Sequence, residues 1–214
     1  GGLPLVASMR TEAQKVKYLT DLFAETYLKD IIERNRIEKT QELEDVVNIL
    51  ASSVGSLTNP SKILATFRSG LHSQISLNTV RRYVEYLEDA FVISAAQRYD
   101  VKGRKYVGSP LKYYFEDVGL RNARLGFRQT EENHIMENVI YNELRSRGFA
   151  VDVGMVRKRE RDAGGKQLAR QLEIDFVANL GSRRYYVQSA FSLAGVEKTA
   201  QEKAPLNCLG DSFK

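Results

Sequence analysis

One stretch limits the fold more than any other: Leu172–Phe191, LEIDFVANLGSRRYYVQSAF. Leu172, Ile174, Phe176 and Ala178 alternate with Glu173, Asp175, Val177 and Asn179, which is the period of a half-buried strand. Asn-Leu-Gly-Ser-Arg-Arg supplies a Gly-containing connection. Tyr185–Phe191 then returns, rich in aromatic and β-branched residues. The expectation is a two-strand hairpin. Glu173 and Asp175 share one face of its first strand, and Gln188 sits in the middle of the second. An acid on one strand facing a polar position on the next is a frame for a divalent cation in phosphodiester chemistry, because hard cations take oxygen ligands.

The 214 residues suffice for one large domain or two small ones. A hydrophobic fraction of 43% permits a packed core, and the net charge of +5 is mildly basic, compatible with nucleic acid. No apolar run approaches the roughly 20 residues that span a bilayer, and no signal-peptide pattern is present, so no membrane partner is expected. The single cysteine, Cys208, cannot form an internal disulfide, which makes a reducing cytoplasm the expected compartment. The chain opens Gly-Gly-Leu-Pro without an initiating Met and stops at Phe213-Lys214 after a helix-like run, so a fragment of a longer polypeptide is expected. No G-x-x-x-x-G-K-[ST] occurs, so no phosphate-binding loop is carried by these residues.

Thr11-Glu-Ala-Gln14 has capping-box spacing. Val16, Leu19, Phe23 and Tyr27 then recur at helical spacing, to an end near Asn35. A second helix carries Leu43, Val46, Val47 and Leu50, and Ser52–Thr58 reads as a small-residue linker. Asn59-Pro60 opens a third helix, with Asn as cap and Pro at the first helical position. Ser76 caps a fourth, striped by Val80, Val84, Leu87 and Phe91. Val92–Tyr99 reads as a strand, Asp100–Lys105 as a basic turn, and Tyr106-Val107 and Lys112–Phe115 as strand pieces.

Helix, turn, helix and then a hairpin with a basic tip is the winged-helix order. Arg81 and Arg82 begin the second of these helices, where such modules meet base edges. Lys102, Arg104 and Lys105 lie in the wing, within reach of phosphates. Glu85, Glu88 and Asp89 on the same helix suit a protein-docking unit instead.

YYFEDVGLRNARLGFRQ reads as a strand and a bridge. Glu131–Gly148 is a helix with Ile135, Met136, Val139, Ile140 and Leu144 towards a core and Glu137 on a flank, either as a metal-site carboxylate or as a solvated charge. Phe149, Val151, Val153 and Met155 alternate as a strand. Arg157–Arg170, with Lys158, Arg159, Arg161 and Lys166, reads as the basic loop of a hairpin leading into Leu172–Phe191, which either binds phosphates or is merely solvated. Val196–Leu209 is helix-like but broken by Pro205. His72 and His134 have no second ligand at metal spacing.

Glu137 on a helix, Asp175 at a strand end and Gln188-Ser189-Ala190 on the next strand resemble the layout of the PD-(D/E)XK restriction-endonuclease-like fold. The resemblance implies a catalytic set of Glu137, Asp175 and Gln188, with Asp175 holding Mg2+. Ala190 stands where that family has its Lys, so the ammonium that would help generate hydroxide is missing. The whole chain is similar to the C-terminal region, of unassigned function, of bacterial and archaeal AAA+-type ATPases. The matching segments are GGLPLV, YLTDLFAETYLKDIIERN, NTVRRYVEYLEDAFVISAAQRYDVKGRKYV, KYYFEDVGLRNAR, MENVIYNELRSRG and EIDFVANLGSRRYYVQSA. That resemblance implies an ATP-binding module upstream of Gly1.

The expected fold is therefore mixed, α+β or α/β. A helical linker (1–57) leads from the ATPase module to a winged-helix domain (58–128) and then to a restriction-endonuclease-like α/β domain (129–214), truncated at its C-terminus. The expected function is a non-catalytic, nucleic-acid-associated recognition region of an ATP-binding protein. DNA, the ATPase module and a second copy of the chain are its expected partners. Two alternatives stand beside it. One is an active metal-dependent nuclease in which Arg183, Arg184 or Lys198 replaces the missing Lys. The other is a protein-interaction scaffold.

Overall fold

Side-chain caps set where the helices begin. The structure is a computed structural model that describes residues 2–71, 74–128, 131–161, 167–190, 192 and 195–209, with backbone alone at 71, 159–161 and 167–169. After α1 (Pro4–Ser8), Thr11 closes a capping box with Gln14 at the start of α2 (Glu12–Asp21). The helix runs on through a π-helical segment, Leu22–Leu28, into α3 (Lys29–Asn35). α4 (Thr40–Ser52) buries Leu43, Val46, Val47, Leu50 and Ala51. A two-residue strand, β1 (Leu57–Thr58), occupies the end of the expected linker. Asn59 caps α5 (Pro60–Thr66) through the Lys62 amide, and Ser76 caps α6 (Leu77–Asp89) through the Thr79 amide. β2 (Ile93–Asp100) and β3 (Lys105–Phe115) follow, and β3 is one strand where the sequence suggests two pieces.

The expected bridge contains a helix, α7 (Val118–Arg124). Its seven residues carry no amphipathic stripe long enough to read, so tertiary contacts hold it. Asp117 caps it at the Leu120 amide, 2.9 Å. Arg121, buried, donates from Nε to the Ala51 carbonyl at 2.8 Å. Arg124 reaches Asn48 Oδ1 at 2.6 Å and Glu44 Oε2 at 3.0 Å, both on α4.

α8 (Glu132–Ser146), β4 (Ala150–Arg161), β5 (Gln167–Leu180), β6 (Arg183–Val187) and α9 (Val196–Asn207) complete the chain. Arg157 and Lys158 therefore lie on a strand, paired with Gln171 and Arg170, rather than in a loop. Backbone pairing extends the hairpin regardless of side-chain polarity. Lys166 and His72 fall outside the described residues, as do the side chains of Arg159 and Arg161. α9 continues through Pro205. Among the described residues six strands form one mixed sheet in the order β1-β3-β2-β4-β5-β6, with β2 and β4 parallel and β4-β5-β6 antiparallel. Among the described residues no helix is long and apolar enough to cross a membrane.

The chain divides into two compact units. The first is Gly1–Ala95 with Lys112–Asn138, and the second is Ala96–Leu111 with Val139–Lys214. The core of the first is helical, with Ile31, Leu43, Leu50, Ile63, Phe67, Val80 and Leu87 sealed from solvent. In the second, β5 departs from the expected one-sided alternation, because Ile174, Asp175, Phe176, Val177 and Ala178 are all buried. Phe176 meets Tyr141 of α8, ring centroids 6.2 Å apart. Ile174 and Val177 instead share a cluster with Val101 and Val156, against which Leu206 of α9 packs.

Those two residues reach one cluster because the ladder is irregular. Asp152 pairs with Val177 but Gly154 pairs with Ile174, so β5 carries one extra residue at this point. Gly154 is required opposite the bulge. A Cβ there would lie 2.8 Å from Ile174 Cβ and 2.9 Å from Val177 Cγ2. Gly154→Ala is expected to cost about 1–3 kcal/mol through overpacking, read as a lower urea midpoint with an unchanged m-value. An unchanged midpoint would mean the bulge can relax.

Candidate functional site

The bulge and the β5–β6 pairing together position the acidic site. Asp175 is 7% exposed. Its Oδ2 accepts from the Ser189 amide at 2.7 Å and the Ser189 hydroxyl at 2.6 Å. The Asp175 amide in turn donates to Gln188 Oε1 at 3.4 Å. The hairpin thus brings together Asp175 and Gln188, but β6 ends at Val187, so Gln188 lies just past the strand rather than in its middle. A third group, absent from the sequence reading, joins them: Glu202, on α9, accepts from Gln188 Nε2 at 3.2 Å. Its helix-like setting is legible in the sequence, but nothing there sets Glu202 opposite Gln188, 14 residues earlier.

These donors fit Mg2+ poorly. Asp175 Oδ2 already takes two hydrogen bonds, and Gln188 presents its oxygen to a backbone amide. Among the described residues no group of three or more His, Cys, Asp and Glu side chains is arranged to hold a metal ion. Arg184, one of the candidates to replace the missing Lys, is held elsewhere. Its Nε donates to Asn179 Oδ1 at 2.6 Å, and its guanidinium lies 5.3 Å from the Tyr99 ring centroid.

Glu137 belongs to the first unit. It is neither a solvated flank charge nor an open ligand. At 8% exposure, its Oε1 accepts from the Lys112 ammonium at 2.8 Å and the Tyr114 hydroxyl at 2.5 Å. Next to it, Asn138 closes both hydrogen bonds to the Phe115 backbone, at 2.9 and 2.8 Å. Together these pin the start of α8 to β3. Such a group is not legible in sequence, since Lys112 and Glu137 are 25 positions apart and each alone reads as a surface charge.

Of the expected nucleic-acid contacts, Arg81 and Arg82 are exposed on α6 in the first unit. Arg82 is partly committed, with its guanidinium on the Tyr86 hydroxyl at 3.0 Å and 5.8 Å from that ring. Lys102, Arg104 and Lys105 are exposed at the β2–β3 turn in the second unit. The turn is tight because the Gly103 amide donates to Asp100 Oδ1 at 2.9 Å, and a Cβ on Gly103 would fall 2.7 Å from Asp100 Oδ2. Lys102, Gly103 and Asp100 line a cavity of about 650 Å³ with Arg157 and Lys158 of β4 and with Cys208. Of the four charged residues among its described lining only Asp100 is acidic, and that residue is 6% exposed and tied to the turn. In sequence these cations fall in two separate groups; the parallel pairing of Arg98–Asp100 with Val153–Met155 brings them together.

By fold this is a mixed α+β protein with a six-stranded sheet. It belongs to the family described as Domain of unknown function (DUF8612), whose model matches residues 1–131. It is 35% identical, over its whole length and 49% of the relative, to an uncharacterized protein of Haemophilus influenzae. It is 26% identical, over 95% of the chain and 43% of the relative, to the uncharacterized protein MJ1544 of Methanocaldococcus jannaschii. The chain thus spans about half the length of the curated relatives it matches. No solved structure matches it.

Breaking the buried pair tests the assignment of Glu137. Glu137→Gln leaves the Lys112 ammonium without its countercharge and is expected to cost about 3–5 kcal/mol in urea unfolding. Adding Lys112→Met is expected to recover most of that loss, while the substituted amide still accepts from the Tyr114 hydroxyl. A small effect of Glu137→Gln alone would make Glu137 an open carboxylate again.

Proposed function

We propose that this chain is a nucleic-acid recognition region of a longer ATP-binding protein and performs no cleavage itself. The observation that carries the reading is the cavity faced by Lys102, Arg157 and Lys158, where the one acid among the described lining residues is sequestered. Clustered cations attract phosphates and release counterions on binding. The element order supports the same reading. Helix, strand, two helices and two strands, with β1-β3-β2 as neighbours, suit a winged helix. A helix followed by the antiparallel β4-β5-β6 meander and α9 suits a restriction-endonuclease-like core. That core has Ala190 in place of a Lys, and its acids are hydrogen-bonded, so recognition is favoured over catalysis. The relatives' extra length leaves room for an ATP-binding module.

Binding of the chain to a short labelled duplex, followed by fluorescence anisotropy across a salt series, tests this. Affinity is expected to fall steeply with salt. Lys102→Ala combined with Arg157→Ala is expected to weaken binding at low salt and to reduce the slope of log K against log salt by about 2. No binding to any nucleic acid at low ionic strength would defeat the proposal. Plasmid cleavage with magnesium or manganese, abolished by Asp175→Asn, would replace it with the nuclease reading.

A further inference from the structure

An exposed aromatic ring of the second unit lies beside the basic turn. Tyr106, the residue after Lys105, is 60% exposed. A surface tyrosine ordinarily samples several rotamers, but this one is held. Its hydroxyl donates to Asp152 Oδ2 at 3.2 Å, and Asp152 is itself 8% exposed on β4. Burial pushes the Asp152 carboxyl above its ordinary range, while the Tyr106 hydrogen bond and the Arg184 charge pull it back. Tyr106 also packs edge-on against the half-buried Tyr99 across the hairpin, centroids 5.4 Å apart at 64°. The guanidinium of Arg184 lies over Tyr99 at 5.3 Å and is fixed by Asn179. Further along β6, Tyr185 is exposed and packs edge-on against Phe149 at 5.7 Å.

An exposed ring with a pinned hydroxyl, backed by a second ring and an arginine, and following three exposed cations, has the composition of a base-stacking platform. Stacking on it costs little conformational entropy, because the ring is already ordered. We propose that Tyr106, supported by Tyr99 and Arg184, stacks an unpaired base, so that the nucleic acid this chain recognises is single-stranded. The inference rests on the nucleic-acid reading and narrows it. A duplex keeps its base faces stacked on one another and offers the ring nothing, whereas the backbone cations would bind either form.

The chain has no tryptophan, so Tyr106→Trp installs a lone reporter. With the complete chain, oligothymidylate, oligouridylate and a short duplex are titrated separately. Single strands are expected to quench the emission of the introduced indole and the duplex to leave it unchanged. In anisotropy, Tyr106→Ala is expected to weaken single-strand binding about tenfold and to leave duplex binding unaltered. Tyr106→Phe keeps the ring but loses the tether to Asp152, and is expected to bind single strands more weakly than the parent and more tightly than Tyr106→Ala. Stronger binding of oligothymidylate would assign DNA, and stronger binding of oligouridylate would assign RNA; either supports the platform when it depends on the ring. Duplex binding as tight as single-strand binding, or single-strand binding indifferent to Tyr106→Ala, overturns the platform while the basic cavity stands. Absence of binding to all three ligands removes both.

Discussion

The extra residue of β5 opposite Gly154 is the constraint on which most of the second unit depends. It turns Ile174 and Val177 into one cluster, although an unbroken strand would send residues three apart to opposite faces. It also sets Asp175 where the Ser189 amide and hydroxyl both reach it. A bulge locally increases twist and re-aims one side chain, which is why bulges recur near functional sites. Here the re-aimed group is an acid, and the neighbouring strand satisfies it.

Burial explains why the two carboxylates singled out by resemblance are both hydrogen-bonded. Removing an ionised carboxylate from water costs several kcal/mol unless a countercharge or hydrogen bonds replace the solvent. Glu137 meets this with an ammonium and a phenol, and Asp175 with an amide and a hydroxyl. The solutions differ in what they leave available. An ion pair formed inside the first unit holds α8 against β3 and ties up Lys112. Asp175 borrows only neutral donors, the Ser189 amide and hydroxyl, with Gln188 beside it and Glu202 bonded to Gln188.

Sequence chemistry was legible wherever it was local. Thr11, Asn59 and Ser76 each cap as their side chains require, and the stripes of α4 and α6 face the core, except that Phe91 lies past the end of α6 and is exposed. The β5–β6 hairpin turns at Gly181-Ser182 and brings Gln188 to Asp175. What escaped depends on partners distant in sequence. α7 is held by Arg121 and Arg124 reaching positions 70 and 76 residues away. β1 is too short to carry a period. Glu202 arrives on a helix that Pro205 was expected to break, and nothing around Asp152 hints that it anchors Tyr106 46 residues earlier. Arg157 and Lys158 read as loop cations in sequence because polarity resembles irregular chain, whereas strand pairing is a backbone property.

In the proposed reading the β2–β3 hairpin divides recognition between two kinds of contact. Lys102, with Arg157 and Lys158 across the parallel pairing, supplies charge, and charge gives affinity that salt erodes and that every phosphate backbone shares. Tyr106 supplies a surface that only an unpaired base can use. The same turn fixes both: Asp100 folds it back onto Gly103, and Tyr106 resumes the strand one residue after Lys105 to meet Tyr99. The spacing between cation and ring is therefore set by a two-strand register rather than by flexible side chains. A register of that kind favours a ligand whose phosphates and base faces are exposed together, which is the property that separates a single strand from a duplex.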